Sequence, residues 1–394
     1  MDRRLLVLAL GMFALGTDSF VVAGVLPEIS HTFNINIGAA GQMTTAYAIT
    51  YALFAPIIAA IAAHIPRKTM LLTSLGIFVV ANLITAAAPT FTIAMASRIF
   101  AGFGAAMFAP TATGAAATLV PAERRGYALS IVIAGLTSAT ALGTPIGAAI
   151  GALGDWRWTM VFVSVLAAAS AIGVGLLLAN VPLPPKVTLT QRIEPASDPR
   201  VALTLLTTWL YQSGQFVAYT YLTVVFDRAI GHNHAIVAIL LVAFGVAGTF
   251  SNLAVGRLAD AIGNRKLIFT MLIVLTLVLV SLSWAGATLW TAIPALVIWG
   301  AVGWGLLAPQ QHRLVTVAPH TAPVVLGLNT SFTYFGITTA GVIGALGIPV
   351  FGPHHLGYLG AALVVFALGT AELATWRINL SNEVPLAGKL VSAN

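Results

Sequence analysis

Apolar runs of helix length repeat along this chain, near residues 5–27, 38–63, 69–88, 92–118, 126–152, 156–180, 200–226, 235–260, 266–286, 289–316, 322–350 and 356–378. A hydrocarbon layer about 30 Å thick is crossed by roughly 20 residues of helix. Within it no backbone N–H or C=O can go without a partner, so each run has to be helical. A membrane barrel would alternate apolar and polar side chains, and these runs do not. Only 7% of the 394 residues are charged, against 59% hydrophobic. A water-soluble domain carries about 25% charged residues. Lipid is therefore the solvent for most of the surface. The predicted fold is an all-α integral membrane protein with twelve transmembrane helices.

Several classes of function fall away. The net charge of +7 sits in short loops between apolar runs, where it sets topology; no basic stripe with interleaved aromatics points to nucleic acid. Absence of cysteine excludes disulfides, thiolate metal sites and thiol nucleophiles. An intramembrane enzyme needs a nucleophile and base, paired acids or a metal cluster. The chain has no Gly-x-Ser-x-Gly, no His-Glu-x-x-His and one deep acid, so neither an enzyme nor a metal site is expected. It also has no phosphate-binding loop to drive a pump. Met1–Leu26 has the Arg3-Arg4 and apolar run of a signal peptide, but Asp18 lies in its core and no small-residue cleavage site follows. It reads as a retained first helix.

The chain divides at a polar, proline-rich stretch. We place an N-terminal six-helix bundle at 1–180, a linker at 181–199, a C-terminal bundle at 200–380 and a tail at 381–394. The halves repeat. Arg67-Lys68 matches Arg265-Lys266; Gly102-Phe103-Gly104 matches Gly303-Trp304-Gly305; Ala109-Pro110 matches Ala308-Pro309; Val120-Pro121 matches Ala318-Pro319. All four lie at offsets of 198 to 201 residues. Duplicated helical units are a transporter architecture, with the substrate held between repeats near the midplane. Basic pairs at Arg3-Arg4, Arg67-Lys68, Arg124-Arg125 and Arg265-Lys266 fall on one side, with only Arg157 and Arg228 opposite. The excess predicts a multi-pass cell-membrane protein with both termini cytoplasmic.

Ionisable groups inside the membrane are expensive and each is a functional hypothesis. Asp18 is deep in the first span, as a proton or substrate carrier or as an acid held for packing. Arg98 lies early in the fourth span. It cannot give up its proton, so it serves as a counter-charge or snorkels to the interface. Gln310, Gln311, His312 and Arg313 follow a bend expected at Pro309, and some of them must face a cavity. Tyr211, Gln215 and Tyr219 recur every four residues on the seventh span. With Tyr47, Gln311, His312, Asn329 and Tyr334 they form the candidate substrate cavity, suited to a small amphipathic solute. The alternative for each is core packing or an interfacial aromatic belt. Glu28, Asp227 and Glu372 are expected in solvent at span ends.

The segment Gly256-Arg257-Leu258-Ala259-Asp260-Ala261-Ile262-Gly263-Asn264-Arg265-Lys266 is similar to the loop signature of the major facilitator superfamily. Gly256, Asp260, Gly263, Arg265 and Lys266 would then form a conformational latch, in which the acid pairs with basic residues or a helix end and the glycines permit a tight turn and close helix approach. In the first-half copy, Ala59 to Lys68, an alanine stands where the acid belongs. Other segments resemble the exporters of that superfamily: Gly16-Thr17-Asp18-Ser19-Phe20 in span one, and Arg98, Gly102, Gly104 and Pro110 in span four. Gly143, Pro145 and Gly147 in span five resemble an antiporter signature, with Thr144 where its glycine is expected. Gly154-Asp155-Trp156-Arg157 resembles the block that opens span six. The nearest likeness is to exporters of sugars, purine nucleosides and chloramphenicol-like drugs. The resemblance implies two pseudo-symmetric six-helix bundles, usually a monomer, bound by lipid. It implies proton-coupled efflux of a small organic solute, with Arg98 as partner of Asp18, the proton gradient as energy source and no cofactor. Proton-coupled or facilitated uptake of a sugar-like or nucleoside solute is the alternative.

Overall fold

The computed structural model describes residues 2–61, 64–178, 187–231 and 233–391. The six residues 181–186 of the expected linker lie outside them. Among the described residues twelve long helical segments run back and forth: α1 Arg3–Gly24, α2 Ile37–Ile61, α3 Arg67–Ala87, α4 Phe91–Thr118, α5 Arg125–Ala152, α6 Arg157–Leu177, α7 Pro199–Thr220, α8 His234–Ile262, α9 Asn264–Ala285, α10 Leu289–Val317, α11 Ala322–Phe351 and α12 Leu356–Val391. The start of α1 and the end of α12 share one face of the bundle, called here the terminal face; the other is the distal face.

Eleven of these helices are long and apolar enough to cross a membrane. The exception is α7, whose 22 residues reach about 33 Å but whose buried face carries Thr204, Thr207, Thr208, Gln212, Ser213 and Gln215. Polar side chains on a spanning helix must face protein rather than lipid, and α7 lies between α11 and α12 in the interior of its half.

Duplication in the sequence reappears as packing. Within the first six helices α1 packs on α5 and α6, α2 on α4, and α3 on α4 and α6. Six helices later the same pairs occur: α7 on α11 and α12, α8 on α10, and α9 on α10 and α12. The capping repeats as well. Asp2 caps α1 and Asp198 caps α7, each accepting from the backbone N–H two residues on and from the side chain of Arg4 or Arg200. Those guanidinium groups hold both carboxyls below the usual carboxylate range. An acid at a helix N-terminus is stabilised by the unpaired N–H groups there.

Two helices break their regular pattern ahead of a proline, while Pro56, Pro110, Pro294 and Pro349 sit inside continuous helices. A proline within a helix removes one hydrogen bond and its ring presses on the carbonyl four residues earlier. Pro309 of α10 meets this at Gly305, and the helix interrupts at Leu306, ahead of the bend expected at Pro309 itself. Pro145 of α5 meets it at Ala141, inside a wide π turn over Ala139–Gly143. The seventh apolar run, expected as one span over 200–226, instead ends its helix at Thr220 and continues as two short turns, Leu222–Val225 and Asp227–Ile230.

The two halves meet along two symmetric seams, α2 on α11 and α5 on α8. Their side-chain hydrogen bonds lie toward the distal face on the α2–α11 seam and near mid-depth on the α5–α8 seam. Tyr221 donates to the carbonyl of Gly341 at 2.7 Å, Gln42 donates to the same carbonyl at 3.1 Å, and Thr249 donates to that of Thr137 at 3.3 Å. Gly38 sits against Ala345. Arg157 and Arg228, the two basic residues expected opposite the termini, lie at this face and donate to the carbonyls of Ala88 and Ser283, where helix C-termini favour cations.

A Cβ at Gly38 would stand 3.2 Å from that of Ala345, close to the ~3.5–4.5 Å of a disulfide. Because the chain has no cysteine, Gly38→Cys/Ala345→Cys should form one clean cross-link under mild oxidation, read as loss of both thiols to a maleimide label. Two thiols that stay reactive would contradict the distal closure.

Candidate functional site

Asp18 and Arg98 find each other in the core of the first half. Arg98 Nη1 donates to Asp18 Oδ1 at 2.7 Å, and both side chains are completely buried. Arg98 Nη2 reaches the Asp18 carbonyl at 3.4 Å. Snorkelling is thereby ruled out: α4 carries Arg98 inward onto α1. The guanidinium also lies 4.9 Å from the Tyr47 ring of α2, where the ring quadrupole favours a cation. From α3, Asn82 accepts from Arg98 Nη1 at 3.3 Å. Asp18 Oδ2 and Arg98 Nε meet no hydrogen-bond partner among the described residues. A buried ion pair is retained against a desolvation cost of several kcal/mol per ion, and an open valence on the carboxylate leaves room for a proton.

Beside this pair runs the broken stretch of α5. Gly143 lies directly against Thr17, and Gly147 against Val21 and Thr159. Pro145 produces the π turn that brings Gly143 to α1. A side chain at Gly143 would push α5 off the turn that carries Asp18. The opposite half approaches from α11. Ser19 and Tyr334 are within hydrogen-bond distance at 3.3 Å, and the Tyr334 ring stacks on Tyr51 at 3.9 Å between centroids. One residue away from Asp18, the two halves therefore touch.

The second half offers a wall of neutral polar groups. Thr208 donates to Asn329 at 2.8 Å, and Gln215 donates to Gln212. Gly303 of α10 leaves the space that Gln215 fills. Unpaired and buried among the described residues are the Tyr211 hydroxyl, Gln215 Oε1, the Gln310 amide, Asn329 Nδ2 and the Ser331 hydroxyl. Next to them Tyr219 joins an aromatic cluster with Phe216, Phe244 and Trp299, and Trp304 closes on Phe20 of α1.

Among the cavity candidates, Tyr47, Tyr211, Gln215, Tyr219, Asn329 and Tyr334 are buried. Gln311 is half-buried and His312 is exposed. Helical period explains the difference, since Gln310, Arg313 and Leu314 share the buried face and His312 points away. Arg313 is buried and donates to the Ala371 carbonyl and the Thr375 hydroxyl of α12.

The expected latch residues lie at the turn between α8 and α9. Gly263 turns the chain between α8 and α9 with a φ of 86°, a left-handed value that favours glycine. Gly256 makes no close approach, with nothing within 4 Å of a Cβ there. Asp260 and Lys266 are exposed. Arg265 pairs with Glu372 of α12, an acid expected in solvent. Asp227, also expected there, contacts His354 at 2.6 Å, and Glu28 is half-buried. In the first half Lys68 donates to the Gly175 carbonyl of α6, so each half docks the basic start of its third helix on its sixth.

Asn82, Ser19, Tyr51 and Gln42 complete the site without having been singled out as site residues in the sequence. Asn82 had a signal: it is a lone amide inside an apolar run, where a polar group without a partner is costly. No group of three or more potential metal ligands occurs among the described residues.

Comparison with known proteins agrees with this architecture. A family model for the Major Facilitator Superfamily matches residues 8–341. A chloramphenicol resistance protein of Streptomyces lividans is 33% identical over 271 residues, covering 66% of this chain and 67% of that one. A probable sugar efflux transporter of Helicobacter pylori is 26% identical over 365 residues, 93% of both chains. The crystal structure of a mutant of the nucleoside transporter NupG superposes with a TM-score of 0.76 at 10% identity, over 95% of this chain and all of that one.

Removing one partner of a buried ion pair costs about 3–5 kcal/mol because the other charge is stranded. Arg98→Leu should therefore lower the melting temperature of the purified protein sharply, and Asp18→Asn added to it should restore most of the loss. If the double variant melts no higher than Arg98→Leu, the two side chains do not depend on each other.

Proposed function

The chain belongs to the major facilitator superfamily, and we propose that within it the protein is a proton-coupled exporter of a small organic solute. It is a multi-pass membrane transporter and not an enzyme. The observation that carries the finer reading is the fully buried Asp18–Arg98 pair with one carboxylate oxygen open. Burial disfavours the charged acid and the guanidinium favours it. Small movements of α4 against α1 therefore exchange proton loading for proton release, and Arg98 stays charged throughout.

The terminal face carries the four basic pairs, so we place it in the cytoplasm. Contacts between the halves then close the protein toward the outside, and the substrate path opens inward. Residues 1–180 and 200–380 act as the two bodies, joined by 181–199, and rock about the α2–α11 and α5–α8 seams as a monomer. Gly143, Pro145 and Gly147 keep α5 packed on the turn of α1 that carries Asp18. Gly263, Arg265 and Glu372 fasten the terminal face of the second half, with Asp260, Gly256 and Lys266 beside them.

Substrate contacts fall to Tyr47, Tyr211, Gln215, Tyr219, Asn329 and Tyr334, with Gln311 and His312 further toward the terminal face. The unpaired groups of the second half are hydroxyls and amides flanked by aromatic rings. That chemistry suits a neutral, hydrogen-bonding amphipathic solute. The names of the relatives, chloramphenicol resistance and sugar efflux, are compatible with it.

Purified protein in liposomes with an imposed pH gradient tests the proposal, using a panel of phenicols, sugars, nucleosides and lipophilic cations. Expected are proton fluxes that depend on a neutral member of the panel and vanish in Asp18→Asn. Flux that survives the substitution removes Asp18 as carrier. Solute that equilibrates with no proton movement replaces antiport by facilitated transport.

A further inference from the structure

Arg98 offers one nitrogen, Nη1, to two acceptors on different helices: Asp18 Oδ1 at 2.7 Å and Asn82 Oδ1 at 3.3 Å. The Asn82 amide has no freedom to turn around. Its Nδ2 donates to the Phe78 carbonyl at 3.1 Å, so a flipped amide would set N–H against guanidinium and oxygen against oxygen. Asn82 is completely buried on α3, a helix that carries neither partner of the ion pair. On the elements packed around Asp18, the charged or titratable side chains that face it are Arg98 of α4, Tyr47 of α2 and, through Ser19, Tyr334 of α11. Tyr47 meets the guanidinium with its ring face, and Tyr334 reaches Ser19. Asn82 is thus the neutral side chain that gives Arg98 an acceptor besides Asp18, whose backbone carbonyl lies 3.4 Å from Nη2, and the amide also borders the Asp18 carboxyl.

That matters when Asp18 takes up a proton. The carboxyl then loses its charge, and a fully buried guanidinium is left facing a neutral acid. Its remaining acceptors are then the neutral oxygens of Asp18 and the Asn82 amide oxygen, and a buried cation short of acceptors is strongly disfavoured. We infer that Asn82 is the positioning residue that retains Arg98 while Asp18 is protonated, so that the proton cycle runs without the arginine leaving its place. The inference rests on the reading of Asp18 as the proton carrier. It assigns Asn82 an action through Arg98, with no contact to the transported solute. The amide makes the protonated state tolerable and keeps the arginine charge where the released proton will next be replaced.

Infrared difference spectroscopy of the reconstituted protein reads this directly, without a transported solute. The protonated carboxyl band that is missing from Asp18→Asn is followed as pH rises, and its midpoint is compared between variants, each against its own Asp18→Asn blank. Asn82→Leu keeps the branched shape and removes the acceptor, so the protonated acid becomes harder to hold. Its midpoint should fall by about one pH unit, a tenfold weaker hold on the proton. Asn82→Asp keeps size and polarity, so it folds where the leucine variant does not. It adds a second carboxylate that competes for Arg98, and its midpoint should rise. Opposite shifts support the assignment. A midpoint unmoved in both variants reduces Asn82 to packing, and a rise in Asn82→Leu means that the amide serves the carboxylate instead; either overturns the inference while the Asp18 band leaves the antiport reading standing. Absence of any Asp18 band at all pH values overturns both.

Discussion

A carboxylate and a guanidinium share the driest part of the first half, and much of that half is arranged around keeping them satisfied. Four helices contribute: α1 the acid, α4 the base, α3 the amide and α2 the ring beneath the cation. In a low-dielectric interior neither charge survives alone, so the four helices must keep their relative positions. Among the described residues the second half has no counterpart to this pair. Its centre is built of neutral amides, hydroxyls and aromatic rings. Duplicated packing thus carries two different chemistries, a buried ion pair in one half and neutral polar and aromatic groups in the other.

Proline explains where the repeated helices depart from regularity. The wide turn before Pro145 and the interruption at Leu306 before Pro309 fall on corresponding logic, within the turn ahead of each ring. In α5 the result is the approach of Gly143 to Thr17. In α10 it is a change of face between Trp304, which meets Phe20 of the other half, and Arg313, which fastens to α12.

Much of the fold was legible because membrane helices announce themselves by length and apolarity, and because the basic pairs recur at a fixed offset. The acid and arginine were legible for the same reason that they matter: a charge in an apolar run has no innocent explanation. Asn82 passed unnoticed because an uncharged amide is a weaker anomaly. Four consecutive polar residues do not reveal which face of a helix each occupies, so the burial of Gln310 and Arg313 and the exposure of His312 were not legible. Glu372 keeps much of its side chain exposed as expected, but its pairing with Arg265, 107 residues away in the sequence, was not legible. Long-range pairing of that kind leaves no local trace.

The polarity of α7 has a consequence for how the protein is made. Its hydroxyls and amides suit a site between α11 and α12, yet the ribosome delivers α7 first. The end of α12 follows only after well over a hundred further residues. At ~5–20 residues per second, α7 waits on the order of ten seconds or more beside partners that do not yet exist. During biosynthesis it must shelter against the insertion machinery or against the already folded first half, and the second half closes around it last.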